Sequence, residues 1–290
     1  VPFKTLLVCT PGAYERFLLN INQQHYIEAI QVFSNFSPEP EVCSVINALS
    51  DINHKKIDTV ISLGGGSTID VAKILIMYIS GYQIIENGSS FNLSKPNNEG
   101  KLQTKRNIKH IAIPTTCGTG SEATPFATLW DKESGKKYSF ETSFSTPNQV
   151  IHDPSLIHSC PRPLLIQSAL DTLSHTLEAM WNRAYETSYF EPISTSLRIC
   201  LKFLTQIACE SSYQDLIPKM QEASSLSGCL INKTKTAAAH SISYPFTTNF
   251  EIPHGIACSF TLPEILRHNY LSNRASHFEL IIKSNDFASI

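Results

Sequence analysis

Asp58-Thr-Val-Ile-Ser-Leu-Gly-Gly-Gly-Ser-Thr-Ile-Asp70 runs from a β-branched apolar segment into three glycines and then into a helix start. The first six residues read as a buried strand, and helix periodicity follows from Ser67 to about residue 80. Strand, glycine turn and helix in that order make one βα unit. Gly64, Gly65 and Gly66 let backbone N–H groups approach a phosphate closely, at the end of a helix that favours negative charge. Ser67 with Asp70 three residues later fits a capping box. The pattern is neither G-x-G-x-x-G nor a Walker A loop. A tight turn that uses glycine for steric reasons alone remains the alternative at this point.

Outward from this unit the same alternation continues. Upstream, residues 4–9 read as a buried strand ending in the turn Thr10-Pro-Gly12, with a helix after it. Residues 28–33 read as a strand and 41–49 as a helix. Downstream, residues 86–107 are rich in Asn, Ser, Lys and Gly and read as a surface loop. Residues 108–113 form a strand, 126–130 and 137–141 a hairpin, and 149–152 a closing strand. Alternating βα units imply a mostly parallel sheet covered on both faces. After Asp153-Pro154 the β pattern stops, and helical periods occupy roughly 162–182, 188–209, 213–232, 235–244 and 255–267. The expected fold is an α/β dinucleotide-binding domain over residues 1–154, followed by an all-α metal-binding domain over residues 155–290.

The totals agree. A chain of 290 residues has room for about two domains. With 42% hydrophobic and 17% charged residues it has an ordinary globular core. A formal net charge of −2 without a Lys/Arg block argues against a nucleic-acid or anionic-membrane partner. The longest apolar run, residues 74–79, is far short of the ~18–20 residues that span a bilayer. The first residues lack a basic n-region and a cleavage site, so no signal peptide is read. Eight cysteines lie scattered with no CxxC pair, which favours reduced thiols and a cytoplasmic setting.

Pro114-Thr-Thr-Cys-Gly-Thr-Gly-Ser-Glu122 is a second glycine loop after a strand. The hydroxyls of Thr115, Thr116 and Thr119 can reach ribose or phosphate oxygens. Two such loops at the carboxyl ends of strands favour a dinucleotide crevice over two unrelated turns. In the helical half, Asp171 and His175 fall one turn apart on one face, and His240 and the Pro253-His254-Gly255 turn follow. One carboxylate and three imidazoles suit a divalent transition metal. Singly, each residue has an ordinary reading: a helix-terminal charge for Asp171, core histidines for His175 and His240, a turn residue for His254.

Gly64-Gly-Gly-Ser67 with Asp70 and Lys73, Pro114-Thr-Thr with Gly118-Thr-Gly-Ser-Glu122, Asp171 with His175 and Glu178, and His240 with Pro253-His-Gly255 together resemble the iron-containing (group III) alcohol dehydrogenases. The resemblance implies four metal ligands at Asp171, His175, His240 and His254, holding Fe(II) or Zn(II). It implies cofactor contacts at Gly64, Gly65, Gly66, Ser67, Asp70, Thr115, Thr116 and Thr119. Residues 124–131, 181–183 and 236–245 are similar to the phosphonoacetaldehyde reductases, which implies reduction of 2-phosphonoacetaldehyde to 2-hydroxyethylphosphonate. Arg183, Lys136 and Lys137 are the cations considered for a phosphonate tail. The implied partners are a small aldehyde or alcohol and NADH or NADPH, with a homodimer as the assembly considered.

Three departures from the family pattern bear on function. Tyr244 stands where many members carry a histidine that helps move the proton; a phenol can donate a proton but is a poor base near neutrality. Thr10 stands where many carry an acidic partner for the adenosine ribose, and losing that charge admits NADPH. The chain also reads as short at both ends. The competing readings are a general short-chain aldehyde reductase, a dehydroquinate-synthase-like NAD/metal lyase, and a nucleotide-binding protein without catalysis.

Overall fold

The computed structural model describes residues 4–20, 30–37, 39–49, 52, 56–87, 90–94, 107–131, 133–209 and 212–272. The chain divides into two compact units. One comprises residues 1–114 and 125–152, the other residues 115–124 and 153–290. The loop 115–124 thus belongs with the helical unit, although the β-rich segments flank it.

The first unit is built on strands β1 (Thr5–Cys9), β2 (Ile30–Phe33), β3 (Thr59–Gly64), β6 (Lys109–Pro114) and β9 (Gln149–Val150). They form one sheet in the order β2-β1-β3-β6-β9, and every pairing is parallel. The chain goes from β1 to β2 on one side and then places β3 on the other side of β1. The carboxyl ends of β1 and β3 therefore flank a topological switch point, the place where open parallel sheets bind ligands. Thr10 follows β1, the glycines follow β3, and the register pairs Gly64 with Pro114.

Helices α1 (Pro11–Asn20), α2 (Val42–Leu49) and α3 (Gly66–Ile79) belong to this unit. Thr10 caps α1, its Oγ1 accepting from the Ala13 N–H at 3.3 Å. Helix α3 is apolar nearly all round and buries Ile69, Val71, Ile74, Leu75 and Ile76, as a helix in the middle of a core must. Its one buried cation, Lys73, donates to the Phe126 carbonyl at 2.7 Å and lies 3.8 Å from Asp70. The expected capping box does not form. Helix α3 begins at Gly66 with Gly65 as N-cap and no side-chain cap. Asp70 instead accepts from the Thr128 N–H at 3.0 Å, tying α3 to β7 (Phe126–Asp131). The reason is tertiary: β7 and β8 (Lys136–Glu141) pair as the expected hairpin, and β7 offers a backbone donor to a carboxylate already on the facing side of α3.

Part of the expected surface loop is regular. β4 (Gln83–Asn87) and β5 (Ser90–Ser94) pair antiparallel, so polar composition concealed a hairpin. Residues 95–106 and the start of the expected strand at 28–29 lie outside the described residues.

The second unit contains α4 (Arg162–Met180), α5 (Phe190–Ala208), α6 (Ile217–Thr234), α7 (Ala238–Phe250), α8 (His254–Ser259) and α9 (Leu262–Leu271). Two expectations are corrected here. Helix α7 continues through Pro245 rather than ending before it. Hydroxyls satisfy neighbouring carbonyls on both sides of the proline: Ser243 Oγ donates to His240 O at 2.7 Å and Thr248 Oγ1 to Tyr244 O at 3.0 Å. The single helix expected over 255–267 is two helices. Pro263 can start a helix but cannot continue one, so the chain restarts at Leu262.

All eight cysteines are free thiols. Among the described residues, no helix is long and apolar enough to cross a membrane.

Candidate metal centre

Helix α4 carries Asp171, His175 and Glu178 on one face, at spacings of four and three residues. All three are buried. Helix α7 brings His240, and α8 brings His254 at its first position. The approach of α8 to α4 depends on Gly255. A Cβ there would run into the Gln167 carbonyl of α4 and press on the Cβ of Asp171, so only glycine lets the adjoining residue, His254, come this close. The chain reaches α8 through Glu251, whose left-handed φ of 53° ends α7, with Ile252 N–H closing back onto Phe246 O at 3.3 Å.

Asp171 Oδ1 lies 3.5 Å from His240 Nε2, 3.7 Å from His175 Nε2 and 3.9 Å from His254 Nε2. The His175 and His240 rings stack at 4.7 Å, and the His254 ring meets His240 edge-on at 5.4 Å. Asp171 Oδ1 and His240 Nε2 are buried and form no hydrogen bond among the described residues. Orphaned buried polar atoms of this kind are costly. Donors bound to one four-coordinate ion at about 2.0–2.1 Å stand about 3.4 Å apart, so these spacings suit a shared cation. The residues present therefore fit the divalent metal.

The electrostatics point the same way. Burial pushes the Asp171 carboxyl upward, but His175, His240 and His254 around it outweigh burial and hold it well below the ordinary carboxylate range. Burial likewise disfavours the His240 imidazolium, yet Asp171, Cys258 and Glu178 raise it well above its usual value.

Behind these side chains stands Glu178, wholly buried. Its carboxylate accepts from His240 Nδ1 at 2.6 Å and from the backbone N–H groups of Ala237, Ala239 and His240 at 3.0, 2.6 and 3.3 Å. Helix α7 has no side-chain cap of its own; Glu178 of α4 serves as one. A ring nitrogen held by a carboxylate in this way fixes which nitrogen remains for a metal. Sequence reading quoted Glu178 without giving it a role, and it missed Cys258. Both were signalled by spacing: Glu178 lies seven residues after Asp171, and Cys258 four after His254.

The loop 115–124 is held against the helical unit. Thr172 Oγ1 donates to Gly118 O at 3.0 Å, Ser225 Oγ to Glu122 at 2.5 Å and Asn232 Nδ2 to Ala123 O at 3.2 Å. Gly120, at φ 59°, packs backbone to backbone on Gly228 of α6. Thr119 Oγ1 accepts from Ser121 N–H at 3.2 Å, while Thr115 and Thr116 are half-buried. Gly64, Gly65, Gly66 and Ser67 form the start of α3 in the other unit, with Thr10 after β1. Tyr244 is half-buried one turn beyond His240. Arg183 and Lys136 are exposed, and Lys137 lies 5.6 Å from the centre of the Trp130 ring.

Comparison with known proteins gives the same picture. The chain is 26% identical to the 1-propanol dehydrogenase PduQ of Citrobacter freundii over 85% of this chain and 61% of that protein. It is 29% identical to the phosphonoacetaldehyde reductase of Streptomyces viridochromogenes over 74% of this chain and 54% of that protein. The chain therefore spans less than two thirds of the length of these relatives. Among solved structures, the NAD+ complex of sulfoacetaldehyde reductase from Bifidobacterium kashiwanohense superposes with a TM-score of 0.76 at 27% identity, covering 92% of this chain and 69% of that one. An iron-containing alcohol dehydrogenase from Thermotoga maritima gives 0.76 at 25% identity, covering 98% and 79%. Residues 2–154 match the family of iron-containing alcohol dehydrogenases and residues 165–283 match the C-terminal domain of the Fe-containing alcohol dehydrogenase family; the chain belongs to the iron-containing alcohol dehydrogenase family.

Proposed function

We propose that this chain interconverts a small aldehyde and its primary alcohol with a divalent metal and NADH or NADPH, and that its specific substrate is 2-phosphonoacetaldehyde. The observation that carries the proposal is the convergence of His175, His240 and His254 on Asp171 Oδ1, with Glu178 holding His240 from behind. Asp171, His175, His240 and His254 would hold Fe(II) or Zn(II), which would supply Lewis acidity toward a substrate oxygen, and a reduced nicotinamide would supply the hydride.

The chain's own residues do the rest. Asp171 supplies the one anionic donor among the four. Glu178 fixes the His240 ring so that Nε2 faces Asp171. Burial of Asp171, His175 and His240 keeps bulk water from competing for those donors. Tyr244 is the candidate proton donor for the alkoxide. Gly64, Gly65, Gly66 and Ser67 receive the pyrophosphate at the uncapped start of α3, and Asp70 steadies that turn through Thr128. Thr115, Thr116 and Thr119 contribute hydroxyls to the nucleotide, and Thr10 lies by the adenosine ribose.

The substrate reading rests on two relatives, a phosphonoacetaldehyde reductase and a sulfoacetaldehyde reductase, whose names each describe a short aldehyde with a tetrahedral anionic tail. The similarity to a 1-propanol dehydrogenase favours plain aliphatic aldehydes as the second reading.

The test is oxidation of NADH and NADPH by the metal-reconstituted chain, with phosphonoacetaldehyde, acetaldehyde and butanal compared and a metal-stripped control. Metal-dependent turnover selective for phosphonoacetaldehyde is expected. Turnover of plain aldehydes alone would discard the substrate assignment and keep the chemistry. No turnover by folded, metal-loaded protein would discard both.

A further inference from the structure

The donor atoms of Asp171, His240, His254 and Cys258 all lie within 4.8 Å of one another, so Cys258 joins three of the four residues the resemblance implies. Cys258 sits one turn after His254 on α8, fully buried. Its Sγ is 3.5 Å from His254 Nε2 and 3.6 Å from His254 Nδ1. It also lies within 4.8 Å of the ligand atoms of Asp171 and His240. Whichever ring nitrogen His254 presents, the sulfur is about one ligand–ligand edge away. Asp171 Oδ1 and His240 Nε2, buried and unsatisfied, belong to the same group of atoms. A buried thiol that served packing alone would ordinarily be surrounded by apolar side chains. This one touches Ser243 Oγ at 3.3 Å and an imidazole. Ser243 spends its own proton on His240 O at 2.7 Å, so the thiol is the donor to Ser243, and its proton is the one that can be released.

We propose that Cys258 Sγ is a further donor to the metal held by Asp171, His175, His240 and His254, which makes the centre a mixed oxygen, nitrogen and sulfur site. The proposal rests on the metal-binding reading above. As the metal–sulfur bond forms, the thiol gives up its proton to solvent and Ser243 keeps its bond to His240 O. A thiolate adds negative charge and softness, which strengthens binding of Zn(II) and Co(II) beyond what one carboxylate and three imidazoles give.

The experiment uses the 290-residue chain. It is stripped and reloaded to one metal per chain, first with Zn(II) for X-ray absorption at the zinc edge and then with Co(II) for optical spectroscopy. One sulfur scatterer at about 2.3 Å is expected for zinc, and a sulfur-to-cobalt charge-transfer band in the near ultraviolet. Both should vanish in Cys258→Ser, which keeps one metal per chain but binds it about tenfold or more weakly. Cys229→Ser, at an exposed thiol, should change neither signal. A wild-type centre with only nitrogen and oxygen scatterers overturns the proposal without needing the variant. So does a sulfur signal that survives in Cys258→Ser or Cys258→Ala, since another cysteine would then be its source. Failure of the chain to bind any metal would overturn this proposal and the metal reading together, whereas stoichiometric metal without sulfur overturns this one alone.

Discussion

Glu178 and His240 meet twice: the carboxylate accepts from the ring Nδ1 at 2.6 Å and from the same residue's backbone N–H at 3.3 Å. One buried side chain thus fixes both the imidazole and the first turn of the helix that carries it. Glu178→Gln keeps the shape but replaces one acceptor by an amide donor, which would face N–H groups. We expect metal affinity to fall about 10–100-fold and the unfolding midpoint to drop as well. Competitive titration against a chromophoric chelator reads the first effect and a denaturant melt the second. Unchanged affinity would show that His240 needs no such partner.

His254 is the most exposed of the four proposed ligands, with 30% of its side chain accessible. Its removal therefore opens little cavity and should cost little stability. His254→Ala is expected to lose metal and turnover while melting close to the wild-type temperature. Full metal content and activity in that variant would sink the ligand assignment.

Gly255 makes the approach of α8 to α4 possible, and Gly12 offers a control, since a Cβ there meets only Arg16 Nη1 at 3.6 Å. Gly255→Ala must push α8 away from the Gln167 carbonyl. Overpacking of this kind costs about 1–3 kcal/mol and carries His254 away from Asp171. Weaker metal binding and a lower denaturant midpoint are expected together, with neither in Gly12→Ala. Should Gly255→Ala bind metal like the wild type, the α8 placement would not depend on glycine.

Much of this was legible in the sequence, for identifiable reasons. The parallel sheet followed from residues 58–64 and 108–114, whose apolar runs end in glycine or proline and leave no other period to read. The placing of Asp171 and His175 on one face of α4 followed from their spacing. What was hidden depends on tertiary contacts. Asp70 looked like a capping partner because Ser67 precedes it by three, and only β7 shows that Thr128 takes the carboxylate. The hairpin of β4 and β5 carries only a short alternation at Phe91 and Leu93, set among Asn and Ser residues that favour a loop reading. Pro245 argued for a helix end, since nothing local reveals that Glu178 caps α7 from another helix. Cys258 carried only its four-residue spacing from His254 as a signal, which has meaning once α8 is seen to bring its thiol into the group around Asp171.

Thr10 ends β1 and caps α1 through its hydroxyl. Aspartate caps as well as threonine, so Thr10→Asp should leave the fold intact while adding a negative charge beside the position proposed for the adenosine ribose. A 2′-phosphate would be repelled and a free 2′-hydroxyl would gain an acceptor. The ratio of kcat/KM for NADPH to that for NADH should fall about tenfold or more, equivalent to about 1.4 kcal/mol. A variant with an unchanged ratio would place the ribose elsewhere.

His110 gives the first unit a signed pH dependence. It lies buried on β6, its Nε2 2.9 Å from Ser62 Oγ of β3 and its backbone N–H donating to Asn148 Oδ1 at 2.7 Å. Burial, assisted by nearby Lys73, pulls its pKa down to about 3. The unfolded chain therefore binds a proton at this residue below about pH 6.5 that the folded chain refuses until about pH 3. More protons on the unfolded state means that stability rises with pH through that window and falls on acidification, by at most about 1.4 kcal/mol per unit for one group. In the lower part of that window the elevated His240 is protonated in both states and adds no slope, whereas near its upper edge the unfolded chain begins to lose that proton and His240 opposes the trend. Denaturant melts of metal-free protein across that interval should show the loss, and His110→Asn should flatten it between about pH 4.5 and 6.5, above the range where the lowered carboxyls of Asp171 and Glu178 add a slope of the same sign. An equal slope in the variant would mean that another buried group sets the acid limb.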